Sequence, residues 1–408
     1  MDRILTTHTG SLVRPEELLD VLAAQERGEG LDAEAYERIL DQAVGDVVRR
    51  QAAAGIDVVN DGEMGKSTWI TYLYGRLRGI EERLVPIDEG SMLPPSRDRQ
   101  AFPEFYAEHD AAFARATKNR VHVTEGEDGS GGAPEARSKL WYCTGPITYD
   151  SAALERDVAR LRRALADVDV TDAFLPVVAP ASVYWLRNEH YANEEELVFA
   201  VADALHEEYR GIVDAGFLLQ VDDAVLMHEY DSILSLGGSV DDYRRWASLR
   251  VEALNHALQG IPEERVRYHV CFGSWHGPHV FDPPLADVID LVLSVRARYY
   301  LIEQANPRHE HEWRLWEDVE LSEGKVLVPG VVTHHTTVVE HPELVAERLV
   351  RLARLVGPDR VMGGTDCGFA QGAFVRRVHP SVQWAKLEAL AEGARIATRR
   401  LDGVAADA

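Results

Sequence analysis

The sequence predicts an α/β fold of the (β/α)8 TIM-barrel type, on three observations. Eight short apolar runs of strand character recur along the chain, amphipathic stretches separate them, and one long stretch after the second run departs from the repeat. The runs fall at 4–7, 56–60, 174–178, 217–221, 266–271, 299–303, 326–332 and 360–364. Strand, helix, strand alternation calls for a parallel sheet, and eight such units are the number that closes one. A doubly wound open sheet is the alternative arrangement of the same alternation.

Between the runs, segments 33–54, 194–215, 241–258 and 342–356 place apolar residues at three- and four-residue spacing, the pattern of a helix with one buried face. Asn193 ahead of Glu194, Glu195 and Glu196 reads as a helix cap followed by acids at the positive end of the dipole, and Gly216 as the residue that ends that helix. Residues 66–168 are too many for one strand-to-helix crossover. They are expected as an insertion over the barrel mouth of a single 1–408 domain, with a polar, glycine-rich stretch at 125–134 that reads either as a surface loop or as a lid.

Of 408 residues, 46% are hydrophobic and 27% charged, a composition able to bury a large core. Asp and Glu number 68 against 43 Lys and Arg, a formal charge of −25 that repels nucleic-acid backbones and anionic membranes. The first residues lack a basic flank before an apolar core, and no apolar run approaches the ~20 residues of a membrane span. A cytoplasmic protein with small-molecule partners is expected, with room for a homo-oligomer. Three cysteines cannot make a disulfide framework, so each is filler, reactive thiol or ligand. Cys143, in Trp-Tyr-Cys-Thr-Gly, reads as apolar filler.

His269-Val270-Cys271 ends a strand run, and residues two apart on a strand point the same way. Glu303 ends another run, and Cys367 follows the last in Gly-Gly-Thr-Asp-Cys-Gly. In a barrel the carboxyl ends of all strands share one rim, so the four can meet. Two thiolates, an imidazole and a carboxylate suit tetrahedral zinc, with three negative charges against two. So anionic a site is a weak Lewis acid for hydrolysis but leaves a bound thiolate electron-rich, which favours thiol alkylation.

These residues resemble the zinc ligands in the catalytic barrel of the cobalamin-independent methionine synthase family, which includes single-barrel proteins similar to epoxyalkane:coenzyme M transferase. Thr9-Gly10-Ser11, Asp61-Gly62-Glu63 and Gln220-Val221-Asp222-Asp223 are similar to further family segments, so the resemblance spans nearly the whole chain. It implies a zinc cofactor on His269, Cys271, Glu303 and Cys367, and Ser11, Glu63 and Asp222 around the amino-acid part of homocysteine. It also implies a proton-donating role for His335, next to His334, with Asp222 as its catalytic companion, and donor contact at Trp185. The loop holding Trp275, His276 and His279 receives no role.

Full-length family enzymes carry a second, upstream barrel that helps hold a polyglutamyl folate, and this chain starts at the catalytic barrel. A methyl-folate is therefore one candidate donor among several, and Asp223-Ala224 stands where the family has Glu-Pro. Two further readings are weighed: alkylation of coenzyme M, for which Arg14 and Lys66 would serve the sulfonate, and a metal-free barrel similar to uroporphyrinogen decarboxylase.

Overall fold

A ring of parallel strands forms the centre of the molecule, in a computed structural model that describes residues 3–26, 32–86, 95–116, 122–124, 135–183 and 186–406. The strands follow chain order: Val58–Asn60, Asp172–Val178, Leu218–Asp223, Val266–Val270, Tyr299–Glu303, Val326–Val332 and Gly364–Thr365. The eighth member is the run at 4–7, which makes two isolated parallel bridges, Thr7 with Val58 and Thr6 with Gly363. Those bridges join the first and last strands and close the barrel. Run 360–364 is likewise cut short: Pro358–Arg360 is a 3-10 turn, and the strand proper is Gly364–Thr365. Gly363 and Gly364 suit a crowded seam, since a Cβ on Gly364 would stand 3.0 Å from Val328 Cγ1.

The outer helices obey their local signals. Asn193 Oδ1 accepts from Glu196 N at 2.8 Å and caps Glu194–Asp214, and Gly216 adopts φ 92° after that helix. Pro342 opens helix Pro342–Val356, whose inward face buries Val345, Leu349, Leu352 and Val356 against the barrel. Each such side chain contributes about 1.5–3 kcal/mol on burial.

The departure after the second strand contains its own small sheet. Leu77–Pro86 pairs antiparallel with Glu135–Tyr149, which also pairs with His122–Thr124 and, in parallel, with Leu186–Asn188. Helix Ala152–Leu165 lies instead in the outer ring between Ala33–Ala53 and Glu194–Asp214, with Arg160 bonded to Glu37 and Asp41. It is the crossover helix of the second unit, so the stretch that leaves the barrel repeat ends near 151 and is shorter than 66–168. The amphipathic pattern of Ala152–Leu165 was masked by the length of what precedes it. The glycine-rich 125–134 stretch lies outside the described residues. Among the described residues no helix is long and apolar enough to cross a membrane.

Inside the ring, Arg267 is buried and acts as a spoke. Its guanidinium donates to Gln220 Oε1 (3.0 Å), Thr7 Oγ1 (2.9 Å) and the His8 carbonyl (3.0 Å), and lies 3.8 Å over the Phe174 ring. It thereby ties Thr7 and His8, at the end of the bridge-paired run, to strands on the far side. His8 sits in a second network: its Nε2 meets Gln51 Oε1 at 2.7 Å, and its Nδ1 accepts from Gly10 N at 3.2 Å. The accepting Nδ1 fixes a neutral ring, and burial, reinforced by the Arg267 charge, pulls its pKa down to about 4.

Two outcomes are expected. Arg267→Ala strands three buried acceptors and loosens ring closure, lowering stability by at least about 3 kcal/mol in a urea titration. His8 stays neutral in the fold but takes a proton when unfolded, so its stabilisation is complete above the ordinary value of 6.5 and is lost as pH falls through about 4. Melting temperature should fall over that window, and His8→Asn should flatten the part due to this ring.

Candidate active site

At the carboxyl ends of the strands the ring brings His269, Cys271 and Cys367 together, their ligand atoms within 4.8 Å of one another and all three residues buried. Cys271 Sγ and Cys367 Sγ stand 3.6 Å apart, and both ring nitrogens of His269 are buried without a hydrogen-bond partner. Two sulfurs at about 2.3 Å from a tetrahedral zinc lie roughly 3.8 Å apart, so the sulfur spacing and the bare imidazole fit that ion. Gly273 N donates to Cys271 Sγ (3.3 Å) and Ser274 Oγ lies 3.0 Å from Cys367 Sγ. The hydrogen bond between the two sulfurs holds Cys367 well below the usual thiol value and pushes Cys271 well above it.

Glu303 does not join that trio. Its carboxylate accepts from Phe272 N (3.0 Å) and Asn306 Nδ2 (2.8 Å) and groups with His334 and His335, their ligand atoms within 4.8 Å. The backbone of Phe272, directly after Cys271, turns the carboxylate aside, and nothing in the Tyr-Tyr-Leu-Ile-Glu run announces this. Beside it Asp366, which the sequence reading passed over, accepts from Gln304 N and Ala305 N at 2.9 Å each. Asp366 thus fixes the turn after Glu303 while carrying Cys367 as its neighbour. Gly330 makes room for it: a Cβ there would lie 2.7 Å from Asp366 N.

The three residues expected around an amino-acid substrate differ in availability. Ser11 spends its hydroxyl on the Ala370 carbonyl. Glu63 is buried at φ 57° with Oε2 unpartnered, and Asp222 Oδ1 accepts from Gln220 Nε2 at 3.0 Å. Burial pushes Asp222 up to about 7, against the pull of His269 and with the help of Glu63; Glu63 is likewise raised by burial. Arg14 donates to the carbonyls of Glu63 and Lys66, and Lys66 Nζ to that of Pro176. Those guanidinium and ammonium hydrogen bonds go to main-chain oxygens.

Over this rim folds the loop after Cys271. His279 is held at φ 54°, its N–H and that of Val280 donating to Asp98 at 2.8 and 3.0 Å, and Trp275 Nε1 donates to Tyr106 Oη at 3.2 Å. Asp98 and Tyr106 belong to helices Arg97–Ala101 and Pro103–Ala116 of the insertion, which therefore docks on the site loop. Asp282 bridges His279 and His309 (3.1 Å each), and His309 stacks on Phe272 with ring centroids 3.7 Å apart. Despite burial, Asp282 and Glu312 raise His309 to about 9. His335 lies 5.5 Å from His279, ring to ring, and burial together with His279 and His276 pulls it down to about 3. Trp185 lies outside the described residues. Cys143 is buried in the core cluster, as filler.

In sequence the chain is similar to the methionine synthase of Thermococcus kodakarensis, 24% identical over 398 residues that cover 97% of this chain and 94% of that one. It is similar also to the methionine synthase of Sulfolobus acidocaldarius, 24% identical over 367 residues, 89% and 85% of the two chains. In structure it is similar to a B12-independent methionine synthase from Shewanella sp. W3-18-1 in complex with selenomethionine. The TM-score is 0.70 at 20% identity, over 98% of this chain and 99% of that one, a likeness of fold. No family model matches the chain.

Since Gly330 is the space into which Asp366 fits, Gly330→Ala should displace Asp366 and with it both Cys367 and the Gln304–Ala305 turn. The expected result is metal affinity weaker by about 10- to 100-fold, as for loss of a ligand-orienting group, read by competition with a chromogenic chelator.

Proposed function

We propose, from the premise that the chain belongs to the cobalamin-independent methionine synthase family, that it methylates the thiol of homocysteine at a zinc ion held by His269, Cys271 and Cys367. The observation that carries the metal is the buried trio, with sulfurs 3.6 Å apart and the His269 imidazole within ligand reach of both. The chemistry zinc supplies when bound there is to lower the pKa of a coordinated thiol below its free value of about 8.5. Three protein ligands leave a fourth position for the substrate sulfur.

The remaining work falls to this chain's own residues. Gly273 N and Ser274 Oγ donate to the cysteine sulfurs and orient them. Glu63, with an unpartnered buried oxygen, and Asp222 present two carboxylates to an ammonium group. Arg14 and Lys66 give hydrogen bonds to main-chain oxygens of the same rim. The two neighbouring acids favour an amino-acid thiol over coenzyme M. The Asp98–His279 and Tyr106–Trp275 contacts lay the insertion over the loop behind Cys271, which supports water exclusion from the thiolate. We place the reaction among small metabolites of the cytoplasm, with a methyl-folate as one donor to be tried.

The purified protein should hold zinc, and Cys271→Ser and Cys367→Ser should each lose it together with at least about 100-fold of the homocysteine methylation rate. Zinc-edge absorption should gain a sulfur neighbour when homocysteine is added; an unchanged shell contradicts direct coordination. Tighter binding of coenzyme M than of homocysteine in a calorimetric titration would move the acceptor to the sulfonate thiol. Methyl-folate, methylcobalamin and an epoxide, offered in turn, identify the donor.

A further inference from the structure

Arg377 stands in the loop after Cys367, fixed in place but without a partner for its charge. Its Nε donates to Gln371 Oε1 at 2.8 Å, and Gln371 Nε2 in turn lies 4.0 Å from Cys367 Sγ. Its backbone N–H donates to the Phe369 carbonyl at 2.9 Å, and Phe369 N donates to the Ser11 carbonyl at 2.8 Å. The Gln371 carbonyl accepts from Trp69 N at 3.1 Å, which ties the loop on its other side. The half-buried guanidinium is thus mounted on the rim of the cysteine site. Among the described residues neither of its terminal nitrogens has a hydrogen-bond acceptor or a carboxylate.

Such isolation departs from the pattern of this chain, in which acids outnumber bases by 68 to 43. The buried Arg76, Arg160, Arg250 and Arg348 each pair with a carboxylate. Arg267, buried without one, spends its donors on three fixed acceptors. A guanidinium keeps its charge in a protein and offers a planar fork of N–H groups that matches a carboxylate or a phosphate. At Arg377 that fork is unspent.

The order of the strands divides the mouth electrostatically. Glu63 follows strand Val58–Asn60 and Asp222 lies on strand Leu218–Asp223, so both carboxylates belong to the early strands of the ring. Arg377 follows the last strand and His334 and His335 the one before it, while the exposed His276 reaches over to within 6.2 Å of the His335 ring. Burial lowers the pKa of His276, His334 and His335, and the Arg377 charge adds to that in each, so the guanidinium faces the histidine side. Neutral imidazoles there can each give one N–H to an anion.

We propose that Arg377, with His276 and His335 beside it, is the subsite for an oxyanion, a carboxylate or a phosphate, carried by the alkyl donor. The assignment to the donor rests on the thiol-methylation reading, in which Glu63 and Asp222 take the acceptor's ammonium group. The same two acids repel an anionic group, which is therefore received across the mouth from them. Arg377 would in this way select donors by charge and turn them towards the cysteine-bound ion.

Inorganic phosphate is the probe, titrated calorimetrically into the purified protein with its metal in place. It should bind the unaltered protein, and Arg377→Gln at least about 10-fold more weakly. Arg377→Lys, which keeps the charge and loses the fork, should fall between the two, and it decides by the same measure if Arg377→Gln fails to fold or to hold metal. Saturating homocysteine should leave the phosphate affinity unchanged. Competition between them would give Arg377 to the acceptor's own carboxylate and overturn the donor assignment. Phosphate bound equally by all three proteins, as by the metal ion itself, or by none of them, overturns the subsite. Homocysteine that fails to bind while phosphate still depends on Arg377 would sink the methylation reading and leave the oxyanion site standing.

Discussion

Closure of the parallel ring is the constraint on which the site depends. Strands Val266–Val270 and Gly364–Thr365 are separated by two others in the sheet order, and in an open sheet their ends would lie about 14 Å apart. Curvature, completed by the two bridges of Thr6 and Thr7, lets the turns after those strands lean over one mouth, and the sulfurs of Cys271 and Cys367 come to 3.6 Å. Those bridges are a thin seam. Arg267 reinforces it from within, linking Thr7 and His8 to Gln220 through the barrel axis, where aliphatic side chains alone would have packed without fixing the register.

The mouth carries features that a stability-driven fold avoids. Glu63 and His279 are the two non-glycine residues with positive φ among the described residues, a conformation that costs of order 1–3 kcal/mol each, and both border the site. Bare polar atoms of Glu63, His269, Gln304 and His334 collect within the same rim. Strain and unmet polarity in one place signify a surface shaped for something other than the chain itself. The surrounding networks hold it: Asp98 clamps His279, Asp366 clamps the Glu303 turn, and Glu340 with Lys386 clamps the histidine loop.

Long periodic segments were readable from the chain alone because their pattern and their burial coincide; runs 299–303 and 326–332 and helix 342–356 are as expected. The first and last runs differ since a two-residue bridge beside glycines suffices to close a ring, and no local propensity encodes so short a pairing. His269, Cys271 and Cys367 were legible from strand alternation and a shared rim. The partner chosen by Glu303 was not, because a backbone N–H on another strand's turn decides it. Asp98 and Tyr106 lie far off in sequence within a stretch of no repeat, and only the folded insertion reveals their contact with His279 and Trp275. Asp366 had a signal, its place directly before a ligand-type cysteine and shortly after a glycine pair.

One seam joins the cysteine turns to the Glu303 turn. Asp366 is covalently next to Cys367 and, through its carboxylate, holds the backbone of Gln304 and Ala305 just beyond Glu303. Gly330, paired in register with both Glu303 and Gly364, gives that carboxylate its space. Phe272, adjacent to Cys271, donates to Glu303 from the other side. A displacement of either cysteine turn therefore moves the carboxylate that faces His334 and His335, and the reverse holds as well. Filling of the cysteine site should in consequence reach Glu303 through rigid main-chain links, without a hinge or a change of fold.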